Sequence, residues 1–143
     1  MAPEQLAEQK SEIEAKKQRH IEEYPVKIET EFGHYDSYNG LIKNHCDSAG
    51  GWDIRLKISN LSSKTVKYIY TELIPYNAVG DVEYGSTYKK GIREIKVTGP
   101  IKGEETTFMS FEHCWYDISL GSVGVGTVRV IFMDGSEKTF TQE

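Results

Sequence analysis

Two identical dipeptides, His45-Cys46 and His113-Cys114, contain the residue types of this chain best suited to chemistry. Together, two histidines and two cysteines could hold a tetrahedral zinc ion. Neighbouring residues on a strand point to opposite faces, however, and the short spacing typical of paired cysteine ligands is absent. The pattern therefore predicts no metal site and no cofactor. Cys46 and Cys114 could instead form a disulfide that closes a long loop.

Catalytic motifs are absent from the sequence. Serine, histidine and aspartate all occur, but no G-x-S-x-G turn presents a nucleophile. There is also no phosphate-binding loop, dinucleotide fingerprint or H-E-x-x-H helix. The glycine-rich run from Gly121 to Gly126 leads into a predicted strand, so it lacks the helix N-terminus that would bind phosphate. The sequence therefore predicts a protein that is not an enzyme.

The turn-rich segment between residues 33 and 40 is the best candidate for a binding site. It contains His34, Tyr35, Asp36, Tyr38 and Asn39. Tyrosine supplies a large contact area, and serine, asparagine and glycine supply adaptable hydrogen bonds, which is the composition of many binding loops. The alternative is that these tyrosines only cover the edges of a sheet.

The elements that must position these residues are predicted to be strands. Between Trp52 and Ser59, apolar residues alternate with charged or polar ones, which is typical of a half-buried strand. A polar turn follows, and Thr65 to Ile74 is a second run rich in β-branched and aromatic residues. We therefore expect a β-hairpin that extends from Trp52 to Asp81.

Further strands are expected along the rest of the chain. Val26 to Phe32 alternates in the same way, Gly99 to Gly103 reads as a turn, and Asp134-Gly135 is a strong hairpin signal. Many short strands at steady spacing favour a β-sandwich over a barrel. The remaining predicted strands are Leu41 to Cys46, Val82 to Tyr88, Ile92 to Val97, Thr106 to Tyr116, Ser122 to Met133 and Glu137 to Thr141.

The first 24 residues differ from the rest of the chain. They are rich in glutamate, glutamine, lysine and alanine, which favours a helix that ends before Pro25. Leu6, Ile13 and His20 keep a seven-residue spacing, but polar residues between them make this a weak coiled-coil pattern. We therefore divide the chain into a polar helical arm, residues 1–24, and a sandwich domain, residues 25–143. The arm is either a solvated helix or a segment that docks on a partner or a sister subunit.

The composition excludes several classes of function. The formal net charge of -5 argues against a nucleic-acid-binding surface, which needs concentrated positive charge. No apolar run approaches the length of a membrane span. The sequence also begins without a signal peptide, so we expect a cytoplasmic or virion protein, or a secreted one whose leader was removed.

The region from about Leu56 to Phe140 resembles the FxLYD family of immunoglobulin-like modules in bacterial surface and secreted proteins. The matching stretches are the turn and strand from Ser59 to Tyr68, Tyr76 to Asp81, Gly103 to Phe108, and the closing hairpin from Val128 to Ser136. The resemblance implies an immunoglobulin-like antiparallel β-sandwich, here preceded by the N-terminal helix. It also implies a non-enzymatic module that presents loops or sheet faces for contact.

Two functions are consistent with this reading. The first is a structural or protein-interaction module of bacterial or phage origin, such as a virion or cell-surface accessory protein, with the helix as its docking arm. Its partner would be another protein or a second copy of the chain. The second is a small-molecule or carbohydrate-binding protein, or a phage-encoded inhibitor, that uses the loop around Tyr35 and Tyr38.

Overall fold

The computed structural model describes residues 2–83 and 91–142. Within these residues, one helix, α1 (Pro3–Glu23), precedes eight strands. The strands are β1 (Val26–Asp36), β2 (Gly40–Lys43), β3 (Gly51–Asn60), β4 (Val66–Tyr76), β5 (Arg93–Ile101), β6 (Thr106–Tyr116), β7 (Ser122–Phe132) and β8 (Glu137–Thr141). The predicted strand Val82 to Tyr88 lies mostly outside the described residues, and Val82 itself forms an isolated bridge with Tyr76.

The strands form two antiparallel sheets that pack face to face. The first sheet has the order β2-β1-β3-β6, and the second has the order β5-β4-β7-β8. The apolar residues of the alternating pattern face inward on both sheets. Ile54, Leu56 and Ile58 of β3 are fully buried there. They share one core with Ile69 and Leu73 of β4. The predicted fold class, a mainly β sandwich preceded by a helix, is confirmed.

The predicted hairpin from Trp52 to Asp81 is wrong in its pairing. Both strands exist, but β3 pairs with β1 and β6, whereas β4 pairs with β5 and β7 in the other sheet. The turn between them therefore carries the chain from one sheet to the other. Alternation and a polar turn report that two strands follow one another, but both kinds of connection give the same pattern.

Asn60 holds this crossing in place. Its buried side chain donates from Nδ2 to the carbonyl oxygens of Lys64, Ile101 and Lys102, at 2.7, 3.1 and 3.0 Å. Its Oδ1 accepts from the backbone N–H and the hydroxyl of Ser62, at 3.1 and 2.7 Å. One side chain thus supplies the polar partners of a corner at which neither sheet provides ladder hydrogen bonds.

A second expectation is corrected in β5. The predicted turn from Gly99 to Gly103 begins too early, because the strand continues to Ile101 and a cis peptide joins Gly99 to Pro100. Proline is tolerated there because β5 is an edge strand and needs no ladder donor on its outer side. The Asp134-Gly135 hairpin is confirmed: β7 pairs with β8, and Gly135 has a φ of 86°.

Candidate functional site

The predicted binding segment forms the hairpin between β1 and β2. Its first half is strand and not loop, because His34 pairs with Ile42 and Asp36 pairs with Gly40. At the tip, Asp36 Oδ1 accepts from the backbone N–H groups of Tyr38 and Asn39, at 2.7 and 3.1 Å. An aspartate that closes its own turn in this way fixes the tip locally. The tip is therefore an ordered turn that presents Tyr38, whose side chain is 94% exposed.

Tyr35 and Tyr38 point to different surroundings. The Tyr35 hydroxyl lies 2.5 Å from Ser110 Oγ, on the far strand of the same sheet, so its ring lies along the outer face of the first sheet. Tyr38 stands at the exposed tip of the hairpin. The structure thus separates Tyr35 from Tyr38, although the sequence predicts that both belong to one binding loop.

The buried carboxylate of Asp53 anchors the base of this hairpin. Its Oδ2 accepts from the Tyr35 N–H at 2.9 Å, and its Oδ1 accepts from the His113 N–H at 2.8 Å. The ladder between β3 and β6 shifts register next to Asp53, and His113 adopts a φ of 54° in the resulting bulge. A bulge leaves backbone N–H groups without a ladder acceptor, and the carboxylate supplies one.

The side chains of His34 and His113 lie near Asp47 beside the hairpin. His34 Nδ1 is 2.8 Å from the carbonyl oxygen of His45, and His113 Nε2 is 3.7 Å from Asp47 Oδ2. The backbone N–H of Gly51 holds the pKa of Asp47 below its ordinary value despite partial desolvation, with help from the Ala49 N–H and the charges of His113 and His34. Sequence reasoning missed this group because its members come from three separate segments of the chain, β1, the loop before β3, and β6.

The hydrogen bonds of this polar group, among the described residues, indicate what it can do chemically. Among the hydrogen bonds of the described residues, none joins a histidine to a serine, threonine or cysteine side chain, as an activated nucleophile requires. Within residues 2–83 and 91–142, no three His, Cys, Asp or Glu side chains lie together as metal ligands would. The arrangement can orient backbone and present polar groups at one end of the sandwich.

The two cysteines are both free thiols, so the structure contains no disulfide between Cys46 and Cys114. Cys46 is exposed in the loop between β2 and β3, whereas Cys114 is buried on β6. Burial raises the pKa of the Cys114 thiol to about 11, which keeps it protonated and unreactive at neutral pH. The shared His-Cys dipeptides therefore have unrelated environments.

The helix α1 is the second candidate surface for binding. None of its residues is buried, Ile21 is the most covered of them, and Leu6 and Ile13 expose 45% and 62% of their surfaces. The junction with the sandwich lies at its last turn, where the His20 and Tyr24 rings are 5.2 Å apart and Tyr24 packs edge-on against Phe140 at 5.6 Å. Within the described residues, no helix is both long enough and apolar enough to cross a membrane.

Comparisons with known proteins give similarity of structure at low sequence identity. No family model matches the chain, and no curated protein matches it. One similar solved structure is Northeast Structural Genomics Consortium target SoR45, with 12% identity, a TM-score of 0.46, and coverage of 85% of this chain and 84% of that chain. Another is target BeR40, a candidate ApaA protein from Bordetella pertussis, with 11% identity, a TM-score of 0.39, and coverage of 82% and 88%.

Proposed function

We propose that this protein is a non-enzymatic interaction module whose helix α1 is a docking arm for a protein partner or a second copy of the chain. The exposure of α1 carries the proposal, because none of its 21 residues is buried, and its aliphatic side chains at Leu6 and Ile13 expose 45% and 62% of their surfaces. Most helices in proteins are stabilised chiefly by packing of one face, so a partner surface would stabilise the arm. The setting we propose is a virion or cell-surface accessory role, of bacterial or phage origin, and the FxLYD resemblance supports the cell-surface version.

The apolar side chains of the arm define where the partner would bind. Leu6 and Ile13 are seven residues apart, which places them on the same side of the helix, about 10 Å from each other along its axis. Exposed aliphatic side chains on one side of a helix are the anchors of helix-in-groove recognition. His20 extends this line towards the sandwich, where its ring contacts Tyr24.

The test compares two double variants of the full chain. Leu6→Glu with Ile13→Glu places two charges on the proposed contact, and Ser11→Glu with Ala15→Glu places two charges on the opposite side of the helix. We would measure the mass by light scattering on recombinant chain and on chain isolated from its native source with bound partners. We expect the first variant to lose association and the second to keep it.

Two results would contradict the arm proposal. The first is that the native chain and both variants have the same monomeric mass in both preparations. The second is that the Ser11/Ala15 variant loses association as completely as the Leu6/Ile13 variant. Neither variant alters a buried residue, so the sandwich serves as its own folding control through its thermal midpoint.

A second candidate function is small-molecule or carbohydrate binding at the β1–β2 tip, and it extends to a phage-encoded inhibitor that uses the same tip. The exposed Tyr38 ring on a turn held by Asp36 favours it, since an ordered aromatic ring stacks well against a ligand. We would screen sugars and nucleotides for thermal stabilisation of the native chain and of Tyr38→Ala. Stabilisation that disappears in the variant supports this function, and a flat screen contradicts it.

A further inference from the structure

Every open sheet has two edge strands, and each edge presents backbone N–H and C=O groups that another chain can pair with. In this sandwich the edges are β2 and β6 in the first sheet, and β5 and β8 in the second. Native proteins protect such edges with short strands, charges, prolines, bulges or covering groups. These four edges differ in how well they are protected.

Three of the edges carry recognisable protection. The strand β2 has only four residues, and β8 has five, of which Glu137 and Lys138 are charged. The strand β5 contains Glu94, Lys96 and Pro100, and proline has no N–H to donate. Each of these edges would place charges or a missing donor opposite an incoming strand.

The part of β1 that extends beyond β2 is also covered. The side-chain amide of Gln142 accepts from the Ile28 N–H at 2.8 Å and donates to the Ile28 C=O at 2.6 Å. It therefore occupies both backbone groups that would otherwise begin a new ladder. A glutamine placed just after β8 thus closes the gap between the two sheets on this side of the sandwich.

The strand β6 is protected only in its second half. Glu112 to Cys114 form the bulge opposite Asp53, and a bulge turns an edge away from further pairing. From Thr106 to Phe111 the ladder with β3 is regular, without charge, proline or bulge. Within the described residues, no strand pairs with the outer side of this six-residue segment, which we call the open edge.

The side chains of the open edge leave apolar surface uncovered. Phe108 faces outward and is 55% exposed, with the Arg55 guanidinium 5.4 Å from its ring centre. Met109 and Phe111 pack against the core but remain only partly buried, and Phe111 lines a groove between β6 and β5 at the open side of the sandwich. A strand added to the open edge would satisfy its backbone groups and cover all three side chains.

We propose that the open edge of β6 pairs antiparallel with the open edge of a second copy of this chain, joining the two first sheets into one eight-stranded sheet. The segment is self-complementary: a two-fold axis at Phe108 sets Phe108 opposite its copy, Thr106 opposite Ser110, and Thr107 opposite Met109. No charged residue meets a like charge in these pairs, and aromatic cross-strand pairs stabilise sheets.

Charged residues on both sides of the open edge limit the length of the contact and therefore its strength. In this register Glu105 lies opposite Phe111, and Glu104 lies opposite Glu112 of the second copy, so the uncharged pairing covers about five residues, 106–110, on each side. Such a contact is smaller than a standard stable interface. The dimer therefore forms reversibly with rising protein concentration, and it involves no residue of α1.

The experiment is sedimentation velocity on the full chain from micromolar to millimolar concentration. The native mass should rise from 16.3 kDa towards twice that value. Phe108→Glu should remain a monomer at every concentration, because the new carboxylates would oppose each other, while Arg55 and Lys57 stabilise each one within its own chain. Met133→Glu, at a position 59% exposed in the β7–β8 turn, should dimerise like the native chain.

A second pair of variants keeps the proposal testable if Phe108→Glu folds poorly. Thr106→Lys and Thr98→Lys change the same exposed residue type on edge strands of the two sheets, and only the first should abolish the dimer. Backbone amides of β6 should also exchange more slowly at high concentration.

A native chain that stays monomeric throughout, or dimerisation unaffected by Phe108→Glu and Thr106→Lys, would overturn the proposal. The Leu6/Ile13 variant should lose association through α1 but keep this concentration-dependent dimer through β6, so the two proposals fail independently.

Discussion

Single polar residues hold the irregular parts of this sandwich. Asn60 ties the crossing between the sheets, and Asp53 supplies an acceptor to two backbone N–H groups at a bulge. Both side chains are buried, and in each case most of the hydrogen-bond partners are backbone groups at an irregular part of the fold. Since an orphaned buried polar group costs more than a typical hydrogen bond contributes, such residues are sensitive to substitution.

Replacement of Asn60 by alanine should therefore destabilise the fold strongly. The change orphans buried carbonyl groups around Ile101 and Lys102, and we expect a loss of about 2–3 kcal/mol in the free energy of unfolding. Urea denaturation followed by tryptophan fluorescence measures this loss. Asn39→Ala, at an exposed turn position, is the matched control and should change stability by less than about 0.5 kcal/mol. Equal effects of the two substitutions would contradict the role given to Asn60.

The carboxyl group of Asp134 gives a residue-scale prediction for pH. The Ser136 hydroxyl, 2.5 Å from Asp134 Oδ1, and then the Ser136 N–H and Lys64, hold the pKa of Asp134 at about 2. A carboxyl pKa that is lower in the folded state contributes stability above the unfolded value near pH 4, and this contribution disappears as the pH falls towards 2. Carboxyl carbon shifts followed by NMR should give a higher pKa in Ser136→Ala. An unchanged pKa in that variant would contradict this assignment.

At the scale of elements, the helix and the strands depend on different interactions. The strands of both sheets bury one face in a shared core, whereas α1 buries almost nothing. The helix therefore depends on its own backbone hydrogen bonds, its glutamate and lysine content, and the contact of Tyr24 with Phe140 at its base. Stability should accordingly be distributed unevenly along the chain.

Proline in the middle of α1 tests this independence. Ala15→Pro removes a helical hydrogen bond and should cost the helix about 3 kcal/mol or more. We expect the helical circular dichroism signal to fall while the thermal midpoint of the sandwich, read from near-ultraviolet circular dichroism, stays the same. Ala15→Gln, which preserves the helix, is the control. A lower midpoint in Ala15→Pro alone would mean that the helix contributes to the stability of the sandwich.

At the scale of the whole molecule, the two cysteines report on opening of the sandwich. Cys46 is exposed in a loop, whereas Cys114 lies in the core with its thiol pKa raised to about 11 by burial. A thiol reagent should therefore modify one cysteine of the native chain quickly and the second only when the sheets separate.

The thiol prediction is checked by counting reactive groups against urea concentration. The second thiol should appear in the same transition as the loss of tryptophan burial, since Trp115 packs in the same core. Cys46→Ser should remove the fast phase, and Cys114→Ser should remove the slow one. Equal rates for both thiols in the native chain would contradict the buried position of Cys114, and the absence of any reactive thiol would indicate a disulfide.

Local patterns in the sequence are sufficient to predict most of the helix, strands and turns of this protein. Period-two alternation between Trp52 and Ser59, the Asp134-Gly135 turn and the polar composition before Pro25 each act through neighbours along the chain, and these strands, this hairpin and this helix all form. The sequence also placed Asp36, Tyr38 and Asn39 in a turn, because an aspartate closes such a turn locally.

The way in which these helices and strands combine depends on contacts between segments that are distant in the sequence. The alternation in β3 and β4 is the same whether they pair with each other or face each other across a core, so their division between two sheets could not be read locally. The separation of Tyr35 from Tyr38, the gathering of His34 and His113 near Asp47, and the open edge of β6 all depend on strands distant in sequence. Long-range pairing has no signature within a short window of residues, which is why the surfaces proposed for function appear only in the folded chain.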